Sequence, residues 1–526
     1  MSAPFSGFNA GDIKSGFLVF LIALPLCLGI ALASGFPPVA GISTAVIGGV
    51  IVSFLGSSRL TIKGPAAGLI VIALGAVQEL GGGDPIVGYK RALAVGVVAA
   101  GIQILFALFR AASAGIAMSP AVVHGMLAAI GIIIVSKQAH IVMGVSPEGS
   151  EPLELLAEIP HSIANANPEI LLLGVLSLLI LFLHPLIRHR IARAIPAPVI
   201  VLALTVPIGL FFDLDHLHSY HLFSKDFSVG PEFLVELPGS IANAIAFPDF
   251  SVIFTGTSLK YIVMYALVGT IESTLSVLAV DTLDPEKRSS NLNRDLLGVG
   301  VGNLACAMIG GLPMISEIVR SKANIDAGAK SRWSNFFHGA LLLVSVALIP
   351  GLLHMIPLAA LAAMLVYTGV RLASPKEALH AKEIGLDQFA LFIVTLVTTL
   401  ATDLLIGVAV GLALKTVLHT FRGARLRDLV RTRVVEEREG GELRIKLHGA
   451  AAFTSLLRVR RALEKVDESV GTVILDLSDV VVVDHTFLLR VRATASEWPG
   501  TEMKILGINE MVTASSHPDA SRRRLK

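Results

Sequence analysis

Glu272, Glu317 and Arg320 stand in stretches that hold almost nothing else ionisable. Glu272 lies within Tyr265–Val280, among Val268, Gly269, Ile271 and Leu275. Ser276 follows four residues later, so on a helix the hydroxyl and the carboxylate share one face. Such a pair of oxygen groups can hold a hard cation such as Na⁺, or the carboxylate can take a proton; a plain hydrogen bond to a neighbouring helix is the simpler role. Glu317 precedes Arg320 by three residues, and the two can pair if that stretch is helical. Charges are costly in an apolar membrane segment, and each is a candidate functional group for that reason.

Two proline breaks accompany these charges. Lys63-Gly64-Pro65 leads into the small residues Ala66, Ala67 and Gly68, and Gly311-Leu312-Pro313 leads into Ser316 and Glu317. Proline suits the first position of a helix, where its missing N–H is no loss. The spacing therefore predicts helices that start at Pro65 and Pro313, each with unpaired N–H groups in its first turn. Two such positive dipole ends meeting near the middle of a membrane would form an anion site. Its walls would be Pro65, Ala66, Ala67, Ser316, Glu317, Ile318 and Arg320, with Glu272 and Ser276 as the cation-coupling pair. The alternative is that both prolines only kink continuous spans. Two glutamates against one arginine would repel an anion if both were ionised. Loading an anion then needs a proton or a Na⁺ delivered with it.

The elements that must position these groups are membrane spans. The chain has 526 residues, of which 54% are hydrophobic and only 16% charged. Soluble chains carry about 25% charged residues, so an ordinary soluble enzyme and a disordered chain are excluded. A net charge of +2 implies no nucleic-acid partner. No P-loop, catalytic triad or metal motif occurs, and Cys27 and Cys306 define neither a disulfide framework nor a metal site. No signal peptide is read at the N-terminus. Apolar segments fall near 14–34, 39–56, 64–80, 91–110, 118–136, 168–187 and 195–213, then near 259–280, 294–310, 313–324, 333–350, 353–370, 387–403 and 404–421. That predicts 14 spans in two sets of seven, with the short third and tenth in matching places. Matched Gly/Pro-interrupted segments point to a transporter site built from broken helices. Lys/Arg placement puts both termini in the cytoplasm of a plasma (inner) membrane protein, with Arg188, Arg190, Arg193, Lys287 and Arg288 inside and the acidic loop Glu148–Glu158 outside. A five-residue echo, 162–166 against 240–244, reads as chance.

Past residue 421 the charge density rises. Residues 422–439 read as a linker and 440–526 as a small soluble α/β domain, with strands at Glu442–Gly449, Val473–Ser478 (Val480–Val483 extending the apolar stretch) and Met503–Gly507 alternating with helices at Leu457–Val466 and His485–Ser496. Thr486 reads as a helix N-cap. Ser521–Lys526 reads as a solvated basic tail.

Several of these stretches carry a resemblance. Leu21–Gly35 resembles the first-span signature of the SulP (sulfate permease) anion transporters, and Lys63–Gly68 their third-span start. Asn293–Gly298, Gly302-Asn303 and Gly310–Pro313 followed by Arg320 resemble their ninth and tenth spans. The C-terminal part resembles a STAS domain, although Asp484-His485-Thr486-Phe487 departs from the usual turn. The resemblance covers nearly the whole chain. It implies an α-helical polytopic membrane fold of two inverted seven-span repeats arranged as core and gate, with a cytoplasmic STAS-like domain and assembly as a homodimer in membrane lipid. It also implies elevator-type transport of a small inorganic anion, bicarbonate or sulfate, with Arg320 in the anion field, and no cofactor beyond Na⁺ as a possible coupling ion. Glu317 is a departure that leaves a nucleobase–cation or dicarboxylate symporter on the same fold as an alternative. An uncoupled channel or exchanger, and a membrane-anchored signalling module, are the others.

Overall fold

Most helices begin where a capping side chain or a proline ends the preceding loop, and those residues set the boundaries. In the computed structural model the described residues are 9–112, 118–149, 151–189, 195–222, 225–237, 245–430, 432–439, 441–452, 454–463, 470–495 and 502–525. Among them, eight helices are long and apolar enough to cross a membrane, and four shorter apolar helices accompany them. The chain divides into two units.

The first unit comprises residues 1–112 and 130–372. Helix α1 (Ala10–Ala33) starts at Asn9, whose side chain accepts from the Gly11 N–H. Helix α2 (Pro38–Ile47) runs on through a π-turn to Leu55. Then comes a short strand, β1 (Ile62–Pro65), and after a 3₁₀ turn at Ala67–Leu69 helix α3 (Ile70–Gly81). Asp84 and Pro85 open α4 (Pro85–Leu108). Helix α5 (Pro120–Val142) leads to an amphipathic helix, α6 (Pro152–Ala164), tied back by Ser162 Oγ at 2.7 Å from His140 Nδ1. Ser162 opens the first copy of the echo; the second copy, 240–244, lies outside the described residues. Helices α7 (Pro168–Leu183) and α8 (Ala197–Phe211) precede a hairpin of β2 (His218–Leu222) and β3 (Lys225–Val229). Helices α9 (Gly256–Leu283) and α10 (Leu292–Ile309) follow, then strand β4 (Met314–Glu317) and the short helix α11 (Ile318–Asp326). Helices α12 (Trp333–Leu348) and α13 (Leu358–Leu372) complete the unit. A core of Ala23, Leu28, Ile42, Leu342 and Leu361 joins α1, α2, α12 and α13.

The prolines do not start helices. Pro65 ends β1 and Pro313 immediately precedes β4; the helices begin after them, at Ala67 and Ile318. The two strands pair antiparallel, with Ile62 opposite Glu317, Lys63 opposite Ser316, Gly64 opposite Ile315 and Pro65 opposite Met314. The reason is backbone satisfaction: a helix broken inside a membrane must find partners for its freed N–H and C=O groups, and each break supplies them to the other.

The second unit comprises residues 113–129 and 373–526. Its helices are the first turns of α5 with α14 (Pro375–Ile384), α15 (Leu386–Ala401) and α16 (Leu404–Phe421). Ala121, Val122 and Leu391 form one of their shared cores. Asp403 caps α16 by accepting from the Ile406 N–H at 2.9 Å. The short helix α17 (Leu426–Val430) leads into a sheet made of β5 (Arg433–Glu439), β6 (Glu442–Ala451), β7 (Thr472–Val483), β8 (Glu502–Leu506), β9 (Val512–Thr513) and β10 (Arg522–Arg523). Helices α18 (Leu456–Leu463) and α19 (His485–Ala495) accompany it. The β6–β7 and β7–β8 pairs are parallel.

Three expectations change here. Most of the expected linker is structured, because β5 pairs along its length with β6. The basic tail is a strand, with Arg522 and Arg523 opposite Val483 and Val482 and with Arg524 held by Glu510 at 2.5 Å. Helix α19 is capped by Asp484, which accepts from the Thr486 N–H at 2.6 Å, so Thr486 is not the cap. Arginines in a tail read as solvated when counted as charges, whereas their backbone can extend an existing sheet.

Candidate anion site at the crossed strands

Helix α3 leaves the β1–β4 ladder from the Pro65 end and α11 from the Glu317 end, where Ile62 stands opposite. Their N-termini therefore face each other along the ladder, and the positive ends of both helix dipoles bear on the same small region. Pro65, Ala66 and Ser316 are buried there, and Ala67 is half-buried. Small side chains leave the backbone N–H groups approachable.

Arg320 is 2% exposed. Its guanidinium lies under the bare Cα of Gly64, where a Cβ would come 2.6 Å from Nη1. Nη1 also donates toward Cys27 Sγ of α1 at 3.5 Å. Among the described residues Arg320 forms no ion pair. The expected Glu317–Arg320 pair is absent because residue 317 belongs to the strand and stands before the helix, with φ −93° and ψ 116°. The i,i+3 geometry of a helix therefore does not apply to it. The Glu317 carboxylate instead faces the N–H of Ala67. Ile318, expected in the site, is 41% exposed.

Glu272 meets the same turn from α9. A Cβ on Gly68 would fall 1.8 Å from Glu272 Oε1, so the carboxylate rests directly on that glycine. Both Glu272 oxygens are buried and have no hydrogen-bond partner among the described residues. Ser276, one turn further on, is also buried. An orphaned carboxylate beside a hydroxyl fits a proton or a small cation.

A second polar group was not legible from the sequence. Lys63, the residue before the Gly64-Pro65 break, is 1% exposed. Its ammonium lies 2.5 Å from Asp295 Oδ2 of α10 and donates to Ser316 Oγ at 2.6 Å. Ser273 Oγ is 3.2 Å from Ser316 Oγ and accepts from the Ser316 N–H. Asn303 braces β4, accepting from the Met314 N–H at 2.6 Å and donating to Met314 O and to Gln103. Asp295 and Asn303 fall inside the Asn293–Gly298 and Gly302-Asn303 motifs, and that was their only sequence signal. Lys63 likewise falls inside the Lys63–Gly68 motif, but a lysine beside Gly-Pro otherwise reads as a solvated turn. Beside the ladder a cavity is lined by Phe36, Leu69, Gln103, Tyr265, Asn303 and Pro313; the Tyr265 hydroxyl is buried there with no hydrogen-bond partner among the described residues.

The comparisons agree with this architecture. The sulfate permease family model matches residues 10–397. The chain is 26% identical over 382 residues to the putative sulfate transporter YvdB of Bacillus subtilis, covering 72% of this chain and 68% of that one. It is 27% identical over 394 residues to the bicarbonate transporter BicA of Synechocystis, covering 74% and 66%. The chain thus spans about two thirds of the length of these relatives. Its fold resembles the transmembrane domain of a cyanobacterial BicA, with a TM-score of 0.62 at 24% identity, covering 77% of this chain and 97% of that one. It also resembles murine Slc26a9, with a TM-score of 0.66 at 15% identity, covering 95% and 86%. With its crossed broken helices and its match over most of its length, this multi-pass membrane protein belongs to the sulfate permease family.

Proposed function

We propose that the chain moves a small inorganic anion, of the sulfate or bicarbonate kind, across the membrane by secondary active transport with a cation as co-substrate. The observation that carries the reading is Arg320: a buried guanidinium that makes no ion-pair contact among the described residues, at the ladder toward which two helix N-termini point. A buried charge without a partner is unfavourable by several kcal/mol, and an anion at the ladder would relieve it. Glu272 is the coupling group in this reading. Its carboxylate is buried, has no hydrogen-bond partner among the described residues and rests on the first turn of α3, so it accepts a proton or, with Ser276, a Na⁺ as the anion loads. The relatives point the same way, since one is named a putative sulfate transporter and another a bicarbonate transporter.

The protein spans the membrane 14 times as two inverted repeats, with both termini cytoplasmic, and the core carrying the ladder moves against the gate as an elevator. The C-terminal sheet is a STAS-like domain, and the functional unit is a homodimer. The Lys/Arg bias, the paired breaks and the strand–helix order of residues 433–525 support these assignments. Uptake of labelled sulfate, bicarbonate and a dicarboxylate into proteoliposomes, with Na⁺ and pH gradients imposed separately, tests the reading. Accumulation of sulfate or bicarbonate that follows one cation gradient is expected. Flux indifferent to both gradients would indicate a channel or exchanger instead, and uptake of the dicarboxylate alone would move the substrate out of the inorganic class.

A further inference from the structure

We propose that Lys63 is a built-in cation: its ammonium fills an oxygen-lined site which, without it, would take a free monovalent cation. Asp295 anchors the site. Its carboxylate is 1% exposed and is fixed from two sides. Oδ1 accepts the N–H groups of Ser57 and Ser58 at 3.1 and 3.0 Å. Oδ2 receives the Lys63 ammonium at 2.5 Å and the Ser316 hydroxyl at 3.2 Å. Ser316 Oγ in turn lies 2.6 Å from the ammonium and 3.2 Å from Ser273 Oγ. One carboxylate and one hydroxyl, supplied by α10 and β4, thus hold a single positive charge, and the Ser273 hydroxyl of α9 braces the Ser316 oxygen behind them. The Lys63 backbone is held independently of its head group. It sits opposite Ser316 in the ladder, and its N–H donates to Asn335 Oδ1 at 3.3 Å. The oxygen donors are therefore positioned by elements other than the lysine side chain, and a truncated residue 63 leaves them in place.

Hard monovalent cations are held by oxygen donors of this kind, and an ammonium is a compact point charge of similar demand. A charge carried by the chain cannot be exchanged with the solution. The Lys63–Asp295 pair therefore contributes no co-transported ion, and it confines cation loading to Glu272 and Ser276 beside the α3 turn. The inference rests on the proposed transport reading for this consequence alone; the site itself is read from its geometry.

Thermal unfolding of the detergent-solubilised full chain in sodium, methylammonium and choline chlorides at equal ionic strength tests the proposal. Lys63→Ala leaves Asp295 buried without its counter-charge. Its midpoint should be lowered in choline and raised by several degrees in sodium or methylammonium, beyond any shift that the unaltered chain and Lys63→Ala/Asp295→Asn show alike through the Glu272 site. A Lys63→Ala midpoint that responds to the three salts as the unaltered chain does would overturn the proposal. If Lys63→Ala yields no folded protein in choline, the neutral double variant should restore folding, and its failure to do so would equally overturn it. The readout needs no transport. A chain that moves no anion under any gradient would refute the proposed function and leave the salt dependence of Lys63→Ala intact.

Discussion

Gly68 sets how closely Glu272 approaches the first turn of α3, since a Cβ there would overlap the carboxylate. Gly68→Ala is expected to push Glu272 off that turn. Overpacking of this kind costs about 1–3 kcal/mol, so anion affinity should fall roughly fivefold or more, as read by equilibrium binding of labelled anion. Glu272→Gln keeps the shape and mimics the protonated acid. It should abolish cation-gradient-driven uptake while anion exchange between equal pools continues. Glu317→Gln removes a negative charge beside the Ala67 N–H. It should tighten anion binding and leave cation dependence in place. If Glu272→Gln retains gradient-driven uptake and Glu317→Gln loses it, the two roles are reversed. These residue-level roles were partly open to sequence reasoning, because a carboxylate inside an apolar run is conspicuous. The missing Glu317–Arg320 pair and the Lys63–Asp295 pair were not, since both depend on residues 62–65 and 314–317 being strands. Four-residue strands flanked by helices leave too little periodicity to read.

At the scale of elements, the last apolar helix is joined to the C-terminal sheet by buried charge. Lys415 of α16 lies 2.9 Å from Asp484 at the end of β7 and donates to Thr486 at 2.8 Å, and His419 Nε2 is 3.5 Å from the same carboxylate. Burial disfavours the Asp484 anion, but the Lys415 ammonium and His419 outweigh it and hold its pKa below the usual carboxylate range. Removing one partner of a buried pair destabilises by about 3–5 kcal/mol, whereas replacing both with apolar groups is close to neutral. Lys415→Met should therefore lower the unfolding midpoint of the C-terminal sheet strongly, and Lys415→Met/Asp484→Leu should recover most of the loss in calorimetry. Asp476 of β7 gives a pH test. Burial raises its pKa, but the Ser478 N–H and hydroxyl and Arg444 at 2.5 Å bring it down to about 2. A folded pKa below the ordinary 3.8 means stability present above about pH 4 and lost as pH falls toward 2. Circular dichroism of the sheet during acid titration should show that loss, and Asp476→Asn should flatten it. The strands β6, β7 and β8 were visible as apolar alternation. Strands β5 and β10 were not, because their residues are mostly charged and only their backbones commit them to the sheet.

At the scale of the molecule, composition and the Lys/Arg bias made a polytopic membrane protein legible, and the matched Gly/Pro breaks located its centre. What they could not show is that the two breaks complete each other as one ladder, a pairing across about 250 residues that no local pattern encodes. Cysteines at Ser146 and Ser289 should label from opposite sides of sealed vesicles; labelling from the same side would contradict the proposed span count. The central claim is that the anion sits on the ladder between the two helix N-termini, beside Arg320. Equilibrium binding of labelled sulfate and bicarbonate to purified Ser316→Leu tests it most directly, with the unfolding midpoint measured on the same sample. Ser316 is fully buried between β1 and α9, so a leucine there fills the approach to the ladder. The account predicts loss of anion binding in protein that still unfolds cooperatively, and an unchanged affinity in folded Ser316→Leu would contradict it.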